Sequence, residues 1–363
     1  MKSSVWTCWA LALCLSSLAH AQGATGVEPP APDQSQDALA HAPANAPMRL
    51  DVVVNDHSGR PVTGLTANDF VILDNGHPRN ILAFHANAGE ATMRSPAQVI
   101  LLIDTMNAKF ADVSFEQRQV EKFLRQNGGR LPYPVSVDWV TEEGVKAQVA
   151  PMLDGNAMAD SLAAIKVPVN LIVTSQGIYG AADQFQRSLR VLDMLTQSEA
   201  KKPGHKLAIW IGPGWPMLGG PTMDFPPKTQ EAFFQEILAM SDRLEKARLS
   251  LYSVSLGQAD RTTFMYREWL KGVRKENEAS GANLSQTVLA VQSGGLAEPP
   301  TNDIIAAINE CIRDAGAFYT LTFEATASNQ PGEYHELKVQ VDKRGLKART
   351  KTGYYAQQPR QSP

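Results

Sequence analysis

Residues 99–103 form an unbroken apolar run closed by Asp104, the pattern of a strand covered on both faces that meets solvent at its last residue. An apolar stripe at Val120, Phe123 and Leu124 predicts a helix behind it, opened by a capping box over Ser114-Phe115-Glu116-Gln117 and stopped at Gly128-Gly129. Residues 135–140 and 145–149, around a Glu143-Gly144 turn, read as a hairpin, so one edge strand of the sheet is antiparallel. Helical patterns near 156–166 and 180–198 lead to a second buried strand at 207–211, broken by Gly212-Pro213-Gly214. Phe233, Ile237, Met240, Leu244 and Ala247 mark one face of an amphipathic helix. A third strand follows at 249–256, then a helix near 284–292 ending at Ser293-Gly294-Gly295. The last helix starts at Thr301-Asn302-Asp303 and ends at Gly316. Strands alternating with helices over 97–316 predict an α/β unit with a doubly wound, mostly parallel sheet.

The flanks carry a different period. Leu50, Val52 and Val54 alternate with polar neighbours, and residues 70–73 and 81–84 flank Asp74-Asn75-Gly76, where Asn-Gly accepts the positive φ of a type I′ turn. Short β segments return at 318–323, 337–341, 346–350 and 354–355. A few strands at either end are too small a set to stand alone. The expected topology is therefore a small β-sandwich formed by an N-terminal segment, 48–96, and a C-terminal one, 317–357, with the α/β domain inserted between them and a tail at 358–363.

At the N-terminus Lys2 precedes a short apolar stretch over 5–18, and Ala19-His20-Ala21 fits a small-x-small cleavage pattern. Residues 1–21 are expected to be a secretory signal peptide cleaved after Ala21, and the Pro- and Ala-rich residues 22–47 a disordered linker. That places the mature chain in the periplasm or outside the cell. It also leaves Cys311 as the single cysteine, in a stripe with Ile304, Ile308 and Ile312. No internal disulfide can form, and Cys311 fits a buried thiol better than a nucleophile. Of 363 residues 43% are apolar and 20% charged, with 34 basic and 37 acidic side chains for a net charge of −3. This composition belongs to a globular protein with no global field to recruit nucleic acid. No apolar run beyond the leader is long enough for a transmembrane segment.

Asp104 is the residue to explain, because ligands of doubly wound sheets bind at the carboxyl ends of strands. No GxGxxG follows the strand, so the cradle for a dinucleotide is missing. The order of elements around Asp104 resembles the von Willebrand factor type A domain. The phrases Asp51-Val52-Val53-Val54, Gly59-Arg60-Pro61-Val62-Thr63-Gly64-Leu65 with Asp69-Phe70, Pro203-Gly204-His205-Lys206-Leu207, and Gly345-Leu346-Lys347-Ala348-Arg349 with Gly353-Tyr354-Tyr355 are similar to recurring segments of the bacterial exported VWFA-related family. The resemblance implies a metal-ion-dependent adhesion site with the motif DxSxS. Here those positions are Asp104, Met106 and Ala108, and the later strand end reads Gly212-Pro213-Gly214-Trp215. A thioether is a soft donor that Mg²⁺ disfavours, and alanine offers none. The site is degenerate by this reading, and neither a metal nor a cofactor is expected.

Two rivals stay open. A Mg²⁺-dependent adhesion protein would rebuild its site from Asp104, Thr105 and Asn107. An Asp-nucleophile phosphohydrolase of the haloacid dehalogenase type would use Asp104 but lacks the acid two residues on, where Met106 stands. GxSxG, HExxH and Walker signatures are missing, and His41, His57, His77, His85, His205 and His335 show no ligand spacing. The expected function is thus an exported, non-enzymatic protein-binding or adhesion-like module with a protein partner in the cell envelope or outside. Its expected face is the upper end of the sheet: Asp104, Thr105, Asn107, Gly212, Trp215 and Phe225. A basic stretch, Lys338, Lys343, Arg344, Lys347, Arg349 and Lys351, suits at most a weak contact with an anionic surface, since it alternates with Leu337, Val339 and Val341 as a solvated strand face does.

Overall fold

In the computed structural model, which describes residues 47–88, 93, 96–165, 178–215, 217–219, 225–257, 266–326, 330 and 332–356, the run ending in Asp104 is the central strand of a five-stranded sheet. Strand β5 (Ala97–Asp104) pairs in parallel with β6 (Arg130–Thr141) on one side and β8 (His205–Ile211) on the other. Beyond β8 lies β9 (Leu249–Val254), also parallel, and beyond β6 lies β7 (Gly144–Asp154), antiparallel. The order is β7-β6-β5-β8-β9. Val99, Leu101 and Ile103 enter one apolar cluster with residues of α1 (Phe110–Leu124), α2 (Gly155–Ala163) and α6 (Ile304–Ile312). Ile100 and Leu102 enter a second with residues of α3 (Ile178–Glu199), α4 (Pro227–Ala247) and α5 (Gln286–Gln292). Burial on both faces is why β5 can be apolar at every position, each such side chain contributing about 1.5–3 kcal/mol.

The two ends of the chain interleave. One four-stranded sheet runs β12-β1-β10-β4 and the other β13-β11-β2-β3, where β1 is Pro47–Asn55, β2 Phe70–Asp74, β3 His77–Arg79, β4 Ile81–Ala88, β10 Ala317–Glu324, β11 Tyr334–Val341, β12 Lys347–Arg349 and β13 Gly353–Tyr355. Their inward faces form a third cluster, in which Leu50, Val52 and Val54 meet Phe70, Ile72, Leu321, Phe323, Leu337 and Val339. Phe70, Phe84 and Tyr319 close it, with ring centroids 5.0–5.8 Å apart. The molecule is thus mixed α/β, one mostly parallel sheet accompanied by antiparallel ones. No helix among the described residues is long and apolar enough to cross a membrane.

Three local expectations change. Asn75 and Gly76 do adopt positive φ, but the turn joins β2 to the short β3, while residues 81–88 cross to the other sheet and pair with β10. Helix α1 begins at Phe110, four residues before the expected capping box. Ser114 donates its hydroxyl to the Phe110 carbonyl, and Glu116 lies inside the helix facing the sheet. The final α-helix, capped by the Asp303 side chain as expected, ends at Ile312 and finishes as a single 3₁₀ turn. The expected signal peptide, the tail and residues 22–46 of the linker expected over 22–47 fall outside the described residues, whereas Pro47, its expected last residue, is the first of β1.

Candidate functional site

The chain leaves β5 for β6 through α1 on one face and enters β8 from α3 on the other. The end of β5 is therefore a topological switch point, the place where such sheets open a crevice. Asp104 stands there, yet it is wholly buried. Its Oδ1 accepts the backbone N–H of Met106 at 3.0 Å and of Asn107 at 2.9 Å. Its Oδ2 accepts the Asn107 side-chain amide and the Trp210 indole N–H, each at 2.9 Å. Four N–H donors satisfy the carboxylate's lone pairs. Burial pushes its pKa up against the opposing pull of Trp210, Asn107 and Met106, and the net direction is upward.

The neighbours complete this enclosure. Gly212, at φ 142°, lies so close that a β-carbon on it would sit 2.5 Å from Asp104 Cβ, so only glycine allows the approach. The Thr105 hydroxyl donates to the Val140 carbonyl at 2.8 Å and is committed to the end of β6. The Asn107 amide also donates to Ser188 Oγ at 3.2 Å. Glu116 on α1 is buried, neither of its carboxyl oxygens has a hydrogen-bond partner, and burial together with Asp104 and Asp112 pushes its pKa up to about 8. Of two neighbouring buried acids, one therefore holds the charge and the other the proton.

A divalent ion does not fit this donor set. Asp104 has given its oxygens to N–H groups, Met106 is buried apolar packing, and Ala108 brings no donor. Among the described residues no group of three or more His, Cys, Asp or Glu side chains is placed to hold a metal. An octahedral oxygen shell cannot be assembled without breaking the four hydrogen bonds.

The predicted face is only partly a face. Asp104, Thr105 and Gly212 are buried, and Trp215, expected on that face, is instead packed edge-on against Trp210 at 5.2 Å with its indole N–H on the Leu284 carbonyl at 2.9 Å. The indole is too large an apolar surface to leave in water when the second cluster lies beside it. Asn107 is half-buried, and Phe225 is half-buried with its ring 5.1 Å from that of Phe233. Sequence reasoning missed three residues. Trp210 looked like core because its N–H is hidden in an apolar run. Glu116 looked like a cap. Phe110, the first residue of α1, keeps 57% of its surface exposed beside the switch point. Elsewhere Cys311 is buried, with its pKa raised by burial. The basic stretch divides: Lys338, Lys343, Arg344 and Lys347 are exposed, while Arg349 pairs with Asp314 and Lys351 with Glu245.

No family model matches the chain, and no curated protein matches it. Among solved structures, human COPII-coat protein Sec24c is similar at 8% identity over 78% of this chain and 49% of that one, with a TM-score of 0.34. The chain thus spans about half the length of the Sec24c chain. The TFIIH p34 N-terminal domain is similar at 14% identity over 53% of this chain and 96% of that one, with a TM-score of 0.22.

Proposed function

We propose that this protein is an exported, non-enzymatic protein-binding or adhesion-like module: a von Willebrand A-like domain carried on a β-sandwich made by the two ends of the chain, recognising a protein of the cell envelope or beyond without a metal ion. The observation that carries the reading is the enclosure of Asp104 by four protein donors. It occupies the position that the resemblance assigns to the metal's aspartate, yet it works as an internal brace joining β5, β8 and the turn into α1. Recognition then falls to what keeps surface at this end of the sheet, the exposed Phe110 first, with the half-buried Asn107 and Phe225. An exposed aromatic beside half-buried polar groups is the composition of a contact hot spot.

The mature chain beginning at Gln22 is to be incubated with solubilised envelope proteins in Mg²⁺ and in EDTA, and the affinity of each retained protein measured. The reading expects equal affinity in both buffers and at least a tenfold loss in Phe110→Asp. Affinity that vanishes in EDTA would return the site to a metal-dependent adhesion protein. Turnover of a phosphate monoester that is lost in Asp104→Ala would return it to the hydrolase class.

A further inference from the structure

Far from Asp104, at the opposite end of the five-stranded sheet where β8 and β9 begin, a crevice of about 530 Å³ opens between α4 and the outer face of β1 and β10. The size suits a small organic ligand. Its strand wall is polar because Pro47, Arg49 and Asp51 alternate on the face of β1 opposite the apolar core, with Thr322 of β10 facing Arg49 in the pairing register. Its helix wall is mixed: Ile237 and Leu244 lie on one stripe of α4 beside Ser241, Glu245 and Lys246, and Leu249 and Leu289 form an aliphatic floor. The inner end is sealed by Arg248, which grips Asp51 through both carboxylate oxygens at 2.7–3.1 Å, with His205 Nδ1 a further 3.1 Å from Asp51.

The charges around this crevice do not balance. Arg49, Lys246, Arg248 and Lys351 line it against only Asp51 and Glu245. Arg248 and Asp51 cancel, and Lys246 pairs outward with Asp242. Lys351 donates to Glu245 at 2.8 Å but directs another ammonium proton at the Met48 thioether at 3.5 Å, a weak acceptor that a carboxylate would outcompete. The Arg49 guanidinium, exposed at the mouth, has no side-chain partner among the described residues. The lining therefore offers an anion the guanidinium of Arg49 and the Lys351 proton now spent on a thioether, next to the aliphatic side chains of Ile237, Leu244 and Leu289.

We propose that this crevice binds a small amphipathic carboxylate, its acid group held between Arg49 and Lys351 and its hydrocarbon body laid against Ile237, Leu244 and Leu289. The site is independent of the Asp104 face and of any protein partner bound there.

Calorimetric titration with the straight-chain acids from hexanoate to dodecanoate and with 4-phenylbutyrate, each beside its primary alcohol and below its aggregation concentration, tests the assignment. At least one acid should bind one-to-one, its alcohol at least tenfold more weakly. Arg49→Glu, at an exposed position of β1, should weaken the acid at least tenfold with an unchanged circular dichroism spectrum. Ser241→Trp, which fills the crevice from α4, should abolish binding. Saturable binding by none of the acids, equal binding of acid and alcohol, or full affinity in Arg49→Glu would each overturn it.

Discussion

Glu116 carries a consequence that can be read in a denaturation curve. Its carboxyl is buried beside Asp104 without a hydrogen bond, and its pKa rises from the ordinary 4.5 to about 8. The folded state therefore binds this proton more tightly than the unfolded chain does. The stability tied to it is complete below about pH 4.5, declines as pH rises and is gone above about pH 8, at roughly 1.4 kcal/mol for each pH unit crossed between those two values. Between about pH 5 and about pH 9 the wild-type chain should lose on the order of a few kcal/mol in urea titrations. Glu116→Gln keeps the shape and removes the titration, so its curve should stay flatter and lie above the wild type at the alkaline end. Parallel curves for the two proteins would dismiss Glu116 as the protonated member of the pair.

Helix α4 ends in an unusual way for the same reason that the crevice is sealed. Arg248 occupies the left-handed position after the helix at φ 49°, where glycine is the ordinary choice because a β-carbon costs about 1 kcal/mol. An arginine persists there because its guanidinium reaches Asp51, which also accepts the Thr320 hydroxyl at 2.8 Å. Burial alone would raise the Asp51 pKa, but His205 and Arg248 outweigh it and hold the carboxyl well below the usual range. Arg248→Gly should therefore destabilise the fold by about 2–4 kcal/mol, relaxed backbone notwithstanding, since it strands a buried carboxylate. A more stable glycine variant in urea would refute that account. The stripe that makes α4 amphipathic was legible in the sequence, as was β5, because both patterns repeat locally. The arginine's role was not, since its partner lies 197 residues away. That Met106 and Ala108 bring no oxygen donor was legible for the local reason, whereas the indole that binds Asp104 comes from 106 residues downstream. The hairpin failed at the same boundary: Asn75-Gly76 specifies a turn but not which strand continues from it, and residues 81–88 are claimed by β10 instead.

At the scale of the whole chain these distant pairings decide how it unfolds. β1 lies against β10 from Pro47↔Glu324 to Val52↔Tyr319, and each four-stranded sheet contains strands from both ends. The α/β segment between them is tied to these sheets by Arg248 on Asp51 and by Arg349 of β12 on Asp314, which also accepts the Tyr252 hydroxyl of β9 at 2.7 Å. Neither set of strands can release its partner without opening the third cluster and leaving bare edges. Beyond residue 21 the tryptophans are Trp139, Trp210, Trp215 and Trp269, all within the α/β segment, so their fluorescence follows that segment while near-ultraviolet dichroism follows Tyr319 and Tyr354 as well. The two signals should trace one coincident urea transition. A chain cut before Ala317 should lose cooperativity and aggregate, because β1, β2 and β4 are left with half a core. Two separated transitions in the intact protein, or a soluble and cooperative truncation, would mean that the inserted segment and the strands of the two ends fold as independent bodies.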